Sequence, residues 1–398
     1  MKYIVIVPDG VADYPIESLG NRTPLEVANI PNINFLAKNG ILGRVSTIPY
    51  GFNPGSDIAI LSLLGYEPEK YYTGRGALEA ANLGIKLESN DLIFRCNLIT
   101  EKDGKILDYS GGHITDEEAD VLIKYLDEKL GNSNIKFYHG KSYRNLMYYK
   151  NGFSLQLHKL KCFPPHDILG KEIQKYLPEG ENSKIILEIM EKSKQILRSH
   201  PINKNRIQLG KNPANMIWLW GCGRKPEMEL FESKFGLKGA VISAVDLIKG
   251  IGKIIGLKVI EVKGATGYYD TNYKGKGESA VNSLKELDFV FVHIEATDEA
   301  GHNGDIEMKV KCLEKIDKLI VGYILNSMDK KDFKILITPD HFTPVIKRTH
   351  TDEIVPFLIY GKGIEKGNFS CYSEREVTKT NLYFEKGPDL LRYFLSHQ

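Results

Sequence analysis

Short apolar segments that end abruptly at an acidic residue or a histidine are the feature that most constrains the fold of this 398-residue chain. The apolar runs occupy residues 3–7, 289–294, 334–338 and 356–360. Their β-branched and aromatic residues predict strands. Apolar residues recur at helical spacing over 306–328 and over 116–130, where Gly131 follows as a helix-ending residue. Strands that alternate with helices predict an α/β fold with a mainly parallel sheet flanked by helices.

The middle third of the chain differs from its two ends. From about residue 90 to residue 230 the sequence carries many histidines, arginines and tyrosines. The strongest predicted strands lie before and after this region, so the two ends are expected to form one sheet and the middle to be an insertion. We therefore predict a core domain at residues 1–88 and 235–398, and an inserted α/β cap domain at residues 89–234.

Composition argues against several classes of protein. A net charge of +2 without a long basic tract makes nucleic acid a poor candidate partner. The apolar run that precedes Asp9 is far too short to cross a membrane. The five cysteines are scattered, odd in number and without a Cys-x-x-Cys pair, which argues against a disulfide framework and a thiolate zinc site. We expect a cytoplasmic protein with neither a membrane nor a nucleic acid as partner.

Potential metal ligands follow three of the four predicted strands and precede the fourth. They are Asp9, Asp298, His302, Asp340, His341 and His350. In open α/β sheets, ligands bind at the carboxyl ends of the strands. Carboxylates and imidazoles without thiolates suit Mn²⁺ or Zn²⁺ in a catalytic rather than a structural site. Each of these motifs alone is usually a turn, a cap or a surface pair, so the prediction depends on their combination.

The spacing of these residues predicts how they are shared. Asp298 and His302 are four apart, so one helical turn presents both on one face. Asp340 and His341 are adjacent, and in an extended segment we expect their side chains to diverge, so that each could serve a different ion. Two ions about 3.5–4 Å apart can clamp the attacking and leaving oxygens of a phosphoryl transfer.

Ser56 is the candidate nucleophile. It lies in Asn53-Pro54-Gly55-Ser56-Asp57, before an apolar run that reads as a short helix ending at Gly65. Free backbone N–H groups at a helix start favour an anion, although a serine there is most often a simple N-cap. Beside two metal ions the hydroxyl can become an alkoxide without a histidine base. The sequence leaves open whether Asp57 caps the helix or lies near a metal.

With these residues in place, the chain resembles the alkaline phosphatase superfamily and, more closely, the archaeal type of cofactor-independent phosphoglycerate mutases. The resemblance covers essentially the whole chain. Besides the ligand motifs, it includes Tyr72-Thr73-Gly74-Arg75-Gly76 and Gly264-Ala265-Thr266-Gly267-Tyr268. It implies an alkaline-phosphatase-like core with an inserted cap. It also implies that Ser56 takes the phosphoryl group from 3-phosphoglycerate and returns it to the other hydroxyl as 2-phosphoglycerate, without 2,3-bisphosphoglycerate.

The same resemblance implies a division of the metal ligands and a role for the cap. One ion would be held by Asp298, His302 and His350, and the other by Asp9, Ser56, Asp340 and His341. The cap must exclude water from a phosphoserine. The candidate cations for the substrate's carboxylate and phosphate are Arg95, Arg144, Arg206 and Lys249. His113 and Asp167 are the candidate proton carriers near the glycerate hydroxyls. Trp218 and Trp220 are predicted to pack in the core of the cap.

Other readings stay open at this point. The same core could serve another phosphomutase, a phosphomonoesterase or a homoserine-kinase-like phosphotransferase, or a binding protein without catalytic activity. A Gly-x-x-x-x-Gly-Lys-Ser/Thr loop, which would favour a nucleotide, does not occur in the sequence. Mn²⁺ is the expected metal, with Zn²⁺ and Co²⁺ as alternatives, and the oligomeric state is not determined.

Overall fold

The computed structural model describes residues 1–329 and 332–396. It divides into two compact units, of which the first comprises Met1–Tyr72 with Met228–Gln398, and the second comprises Thr73–Glu227. These bounds differ from the predicted residues 89–234. A helix at Arg75–Asn82 packs on two strands of the second unit, whereas Phe231 packs on Phe289 of the first, with ring centroids 4.6 Å apart. Those tertiary contacts carry no signal in the local sequence.

The strands are β1 (Lys2–Pro8), β2 (Ile41–Val45), β3 (Leu92–Lys102), β4 (Lys105–Asp108), β5 (Ile135–Lys141), β6 (Arg144–Tyr149), β7 (Met216–Gly223), β8 (Gly239–Ile242), β9 (Lys258–Val259), β10 (Phe289–Ile294), β11 (Phe333–Ile337), β12 (Val355–Gly361) and β13 (Tyr383–Phe384). The α-helices are α1 (Pro24–Val27), α2 (Pro31–Asn39), α3 (Ser56–Leu63), α4 (Pro68–Tyr71), α5 (Arg75–Asn82), α6 (Asp116–Leu130), α7 (Ser183–Arg198), α8 (Pro201–Gln208), α9 (Phe231–Phe235), α10 (Asp246–Ile254), α11 (Tyr273–Ser283), α12 (Ala296–Asn303), α13 (Ile306–Ile316), α14 (Gly322–Ser327) and α15 (Gly387–Ser396). Short 3₁₀ turns lie at Glu17–Leu19, Leu157–Lys159, Pro165–Ile168, Ile173–Tyr176 and Glu376–Lys379.

The first unit is built on a mixed eight-stranded sheet in the order β13-β2-β12-β11-β1-β10-β8-β9. β1 lies between β10 and β11 and runs parallel to both, with Tyr3 opposite Phe289 and Lys334. β12 runs opposite to its neighbours β11 and β2. Every residue of β10 and β11 is buried, as expected for strands that are covered by helices on both faces. The four predicted strands and the mainly parallel α/β sheet are confirmed.

Helices cover both faces of this sheet, and alternate residues of β1 pack against the helices on opposite faces. Ile4 and Ile6 pack in a cluster with Ile316 of α13, whereas Tyr3 meets the ring of Phe394 in α15 edge-on. The long predicted helix at 306–328 is interrupted by a π-helical turn at Asp317–Val321. There the Asp317 carboxylate accepts a hydrogen bond from the Ile33 amide at 2.7 Å, near the start of α2.

The second unit contains an antiparallel sheet in which β3 pairs with β4, β6 and β7. Helix α6 begins with a capping box at Thr115 and ends before Gly131, as its sequence predicts. Trp218 is fully buried in the core of this unit and donates its indole N–H to the Phe163 carbonyl at 2.7 Å. Trp220 is also buried in that core, so both tryptophans pack as predicted.

Across residues 1–329 and 332–396, every helix is too short or too polar to cross a lipid bilayer.

Candidate active site

The predicted ligands gather at one edge of the first unit's sheet. Asp9 follows β1, Asp298 lies in α12 directly after β10, and Asp340 and His341 follow β11. These three strands are parallel neighbours, so their carboxyl ends meet. His350 precedes β12, and because β12 is antiparallel to β11, its start lies at the same edge. The sheet order thus brings residues from four distant parts of the chain together.

Asp9, Asp340 and His341 form the first cluster, with one ligand atom of each lying within 4.8 Å of the others. The Nε2 atom of His341 lies 3.3 Å from Asp340 Oδ2 and 3.5 Å from Asp9 Oδ1. The prediction that Asp340 and His341 diverge is therefore wrong. Asp340 Oδ1 accepts hydrogen bonds from the amides of Gly10 at 3.1 Å and His341 at 3.0 Å, which turns Oδ2 toward the imidazole.

Asp298, His302 and His350 form the second cluster. His302 Nε2 lies 3.2 Å from Asp298 Oδ2 and 2.9 Å from His350 Nε2. His350 Nε2 lies 3.4 Å from Asp298 Oδ1. Atoms that share a tetrahedral ion at bond lengths of about 2.0–2.1 Å lie about 3.3 Å apart, which matches these spacings. Asp298, His341 and His350 also form a group within 4.8 Å, so the His341 ring lies within reach of both clusters.

All three histidines turn the same nitrogen toward the site. Nδ1 of His302, His341 and His350 faces the backbone carbonyls of Arg348 at 3.0 Å, Phe342 at 3.3 Å and Pro54 at 3.4 Å, respectively. A carbonyl can only accept, so each Nδ1 carries a hydrogen, and each Nε2 faces the site and presents a lone pair when its ring is neutral. Two such lone pairs at 2.9 Å repel each other unless a proton or a metal ion lies between them.

Two carboxylates of the site have an oxygen without a hydrogen-bond partner, and the pKa values of Asp9 and His302 are shifted. Asp9 Oδ1 and Asp340 Oδ2 are buried without a hydrogen-bond partner. Burial, followed by the charges of Asp340 and Asp298, holds the pKa of Asp9 well above its usual range. Burial would lower the pKa of His302, but the hydrogen bond and charge of Asp298 outweigh it and raise that pKa to about 9. This concentration of negative charge and unused oxygens attracts a cation.

Ser56 is the first residue of α3 and lies beside the first cluster. Its Oγ is 3.2 Å from His341 Nε2 and 3.4 Å from Asp9 Oδ2. The N-cap residue of α3 is Gly55. Ser56 is therefore not the helix cap. The Asp57 carboxylate accepts a hydrogen bond from the Tyr72 hydroxyl.

His293 is a buried part of the site that the sequence interpretation missed. Its Nε2 lies 2.9 Å from Asp9 Oδ2, and its Nδ1 lies 3.2 Å from Ser243 Oγ. Burial lowers the pKa of His293 to about 4, so the ring is neutral. An ionised Asp9 can only accept, so the ring then donates its Nε2–H to Asp9 Oδ2. As the one polar residue within the apolar run of β10, His293 was visible in the sequence, but its partner was not.

Three of the four predicted substrate cations already pair with a carboxylate, and Arg206 and Lys249 are two of them. Arg206 is buried and bonds to Glu118 and to the carbonyls of Gly111, Gly112 and Asn212. These contacts occupy the guanidinium, so the prediction that Arg206 binds substrate is wrong. The Lys249 ammonium lies 2.8 Å from Glu261 Oε2 and 2.9 Å from Oε1.

Arg95 is the third paired cation, and it lies close to Arg144. Arg95 pairs with Glu79 at 3.1 Å and lies over the Trp220 ring, 4.3 Å from its centroid. Arg144 is exposed beside the Tyr143 ring, and its charge, like that of Arg75, acts on Arg95. Three arginines therefore lie near one another in the second unit.

The two predicted proton carriers are both exposed in the second unit. His113 has a left-handed backbone with φ of 51°, and its amide donates to Ser110 Oγ at 3.0 Å. Asp167 lies 3.6 Å from His166, whose ring meets Trp220 edge-on at 5.6 Å. Asp167 thus lies beside His166, whose ring contacts the same Trp220 that Arg95 contacts.

A hydroxyl at a helix start beside clustered carboxylates and imidazoles, on an α/β sheet edge, is typical of metal-dependent enzymes that transfer phosphoryl groups. Comparison with known proteins narrows the class. The model of a family described as 2,3-bisphosphoglycerate-independent phosphoglycerate mutase matches residues 37–203. A protein of that name from Methanosarcina mazei is 49% identical over 394 residues, which cover 98% of each chain. One from Pyrococcus abyssi is 39% identical over 395 residues, which cover 98% of this chain and 96% of the other.

Solved structures agree with these relatives. A protein from Pyrococcus horikoshii superposes with a TM-score of 0.84 at 32% identity, covering 100% of this chain and 98% of the other. The cofactor-independent phosphoglycerate mutase from Thermoplasma acidophilum gives a TM-score of 0.67 at 28% identity, covering 99% of both chains. The chain belongs to the family of 2,3-bisphosphoglycerate-independent phosphoglycerate mutases, which confirms the family predicted from its motifs. It is an isomerase that transfers a phosphoryl group within one molecule.

Proposed function

We propose that the enzyme interconverts 3-phosphoglycerate and 2-phosphoglycerate in glycolysis and gluconeogenesis, through a phosphoserine at Ser56 beside two divalent metal ions. The observation that carries the proposal is that potential metal ligands lie close to a single hydroxyl, that of Ser56. Ser56 Oγ lies 3.2 Å from His341 Nε2 and 3.4 Å from Asp9 Oδ2 in the first cluster, and the His341 ring is also within reach of the second. Membership of the mutase family supports the substrate, and no 2,3-bisphosphoglycerate is required by such a route.

The residues fit two metal ions. One would be held by Asp9, Asp340, His341 and Ser56, and the other by Asp298, His302 and His350. Unused buried oxygens on Asp9 and Asp340 and three inward Nε2 atoms support this assignment. We propose Mn²⁺, with Zn²⁺ and Co²⁺ as alternatives, because oxygen and imidazole ligands suit all three. Bound ions would lower the pKa of the serine hydroxyl and offset charge on the phosphoryl oxygens.

The chain's own residues then have defined roles. Ser56 gives up its hydroxyl proton as Oγ forms the bond to phosphorus, the bond from phosphorus to the substrate's 3-oxygen breaks, and that oxygen takes a proton. In the second half, the 2-hydroxyl gives up a proton and attacks phosphorus, the bond to Ser56 breaks, and Ser56 Oγ takes a proton back. His293 holds Asp9 in place through its N–H at 2.9 Å. The free amides at the start of α3 favour the anionic phosphoryl group on Ser56.

We propose that the second unit, Thr73–Glu227, acts as the cap that binds substrate and excludes water, in keeping with an alkaline-phosphatase-like enzyme. Arg95 and Arg144 are the proposed partners of the substrate's anionic groups, and the geometry adds Arg75, whose charge also acts on Arg95. His113 and Asp167 are the proposed proton carriers. Lys249 is the proposed phosphate contact in the first unit, and it would exchange its pairing with Glu261 for the substrate.

The scattered free cysteines support a reducing compartment, and we propose the cytoplasm. The proposed partner is a small phosphorylated three-carbon acid.

Phosphorus NMR tests the proposal. Mn²⁺-loaded protein is incubated with 3-phosphoglycerate and no bisphosphoglycerate, beside Ser56→Ala and the exposed-serine control Ser199→Ala. We expect 2-phosphoglycerate with the wild type and the control and none with Ser56→Ala. Inorganic phosphate in its place would support a phosphomonoesterase, and no reaction would direct the search to other phosphate esters or to homoserine with ATP.

A further inference from the structure

A fully buried lysine lies behind the proposed metal centre. Lys309 belongs to α13, and its side chain has no exposed surface. Its ammonium donates to Asp13 Oδ2 at 2.7 Å, to the Thr343 carbonyl at 2.8 Å and to the Ala12 carbonyl at 3.4 Å. An ammonium has three N–H donors, and here each has an acceptor. Lysine is almost never fully buried unless it is paired in this way.

The three acceptors lie on the two loops that carry the ligands. Ala12 and Asp13 follow Asp9 in the loop after β1, and Thr343 follows His341 in the loop after β11. The loops also meet directly, because the Val345 amide donates to Asp13 Oδ2 at 3.1 Å. Asp13 Oδ2 therefore accepts from α13 and from the second loop at once.

Thr343 extends the connection to a second cluster. Its hydroxyl donates to Asp298 Oδ1 and lies 3.2 Å from His341 Nδ1. A shift of the Thr343 backbone therefore moves groups that orient ligands of both clusters. The Lys309 ammonium is the group that fastens this backbone carbonyl to Asp13.

We propose that Lys309 is a positioning residue for the metal centre, because it fixes the loop that carries Asp9 against the loop that carries Asp340 and His341. Burying an ammonium is costly, and an apolar side chain of similar length would fill the same space. Fold stability alone therefore does not require a charged residue at this position. The need to hold the two ligand-carrying loops at a fixed distance does explain the charge. The inference rests on the proposed metal centre. Loss of a partner that orients metal ligands typically weakens metal binding about 10- to 100-fold.

The test compares Lys309→Met with Lys311→Met. Lys311 lies two residues further along α13, on its exposed face, where it pairs with Glu307. Mn²⁺ affinity is measured by calorimetry, and the absorption spectrum of the Co²⁺-loaded protein reports ligand geometry. We expect Lys309→Met to bind Mn²⁺ about 10- to 100-fold more weakly, with an altered Co²⁺ spectrum. Lys311→Met should match the wild type in both.

A second variant guards against misfolding. Lys309→Met leaves Asp13 charged and buried, so Asp13→Asn/Lys309→Met, which removes both charges, carries the same expectation. Wild-type affinity and an unchanged Co²⁺ spectrum in a folded Lys309 variant would overturn the inference and leave the metal centre intact. Failure of the wild type itself to bind Mn²⁺ would overturn the metal centre, and the inference with it.

Discussion

Replacing His293 by leucine tests how far the site depends on a residue outside the ligand set. The imidazole donates to Asp9 Oδ2 at 2.9 Å, and both side chains are 1% exposed, so water cannot replace the bond. Asp9 Oδ1 already lacks a hydrogen-bond partner, so the variant leaves the carboxylate oriented only by weaker contacts. A hydrogen bond to a charged group contributes about 1.5–3 kcal/mol, which corresponds to about a 10- to 150-fold change in equilibrium.

We therefore expect His293→Leu to lower Mn²⁺ affinity and kcat/KM by about 10- to 150-fold while the protein stays folded. His293→Gln keeps an N–H donor and should recover part of the loss. Calorimetric Mn²⁺ titration, near-ultraviolet circular dichroism and initial rates with 3-phosphoglycerate provide the measurements. Equal Mn²⁺ affinity in wild type and His293→Leu would refute the claim that His293 orients Asp9.

Three further perturbations separate the roles of other residues. His302→Ala should bind about one Mn²⁺ fewer per chain by elemental analysis, because it removes a proposed ligand; unchanged metal content would exclude His302 from the set. Arg206→Ala should lower the free energy of unfolding by about 2–3 kcal/mol, because it strips partners from Glu118 and three carbonyls. Denaturant unfolding beside the exposed control Arg22→Ala, which removes only a bond to the Leu19 carbonyl, measures that loss. A rise in KM without destabilisation would restore Arg206 to the substrate site. Glu374→Gln probes pH dependence, since burial raises the pKa of Glu374 to about 7. A raised carboxyl pKa means that the folded state binds the proton more tightly. The stability that Glu374 contributes is therefore fully present below about pH 4.5 and is lost as the pH rises through about 7, by up to about 3 kcal/mol. Glu374→Gln should therefore lose less unfolding free energy than the wild type between pH 5 and pH 8. An equal loss in both proteins would contradict this role of Glu374.

The sequence predicted the parts of the site that local pattern determines. Each apolar run that ends in an acid or a histidine is a strand whose carboxyl end lies at the site, and the four-residue spacing of Asp298 and His302 places both on one face of α12. Ser56 begins α3 as its flanking residues indicate.

The errors concern contacts between residues far apart in the chain. Asp340 turns toward His341 because the amide of Gly10, on another strand's loop, bonds to its other oxygen. Arg206 is buried and pairs with Glu118. No local sequence pattern distinguishes such an arginine from an exposed one. His293 gains its role from Asp9 and Ser243, which lie beside it only after the sheet has formed.

The most direct test of the central claim follows the stereochemistry at phosphorus. 3-Phosphoglycerate with an isotopically chiral phosphoryl group is converted by the wild type, and the configuration of the 2-phosphoglycerate is determined. Each in-line transfer inverts phosphorus, so transfer to Ser56 and then to the 2-hydroxyl predicts overall retention. Overall inversion would mean a single direct transfer and would contradict the phosphoserine.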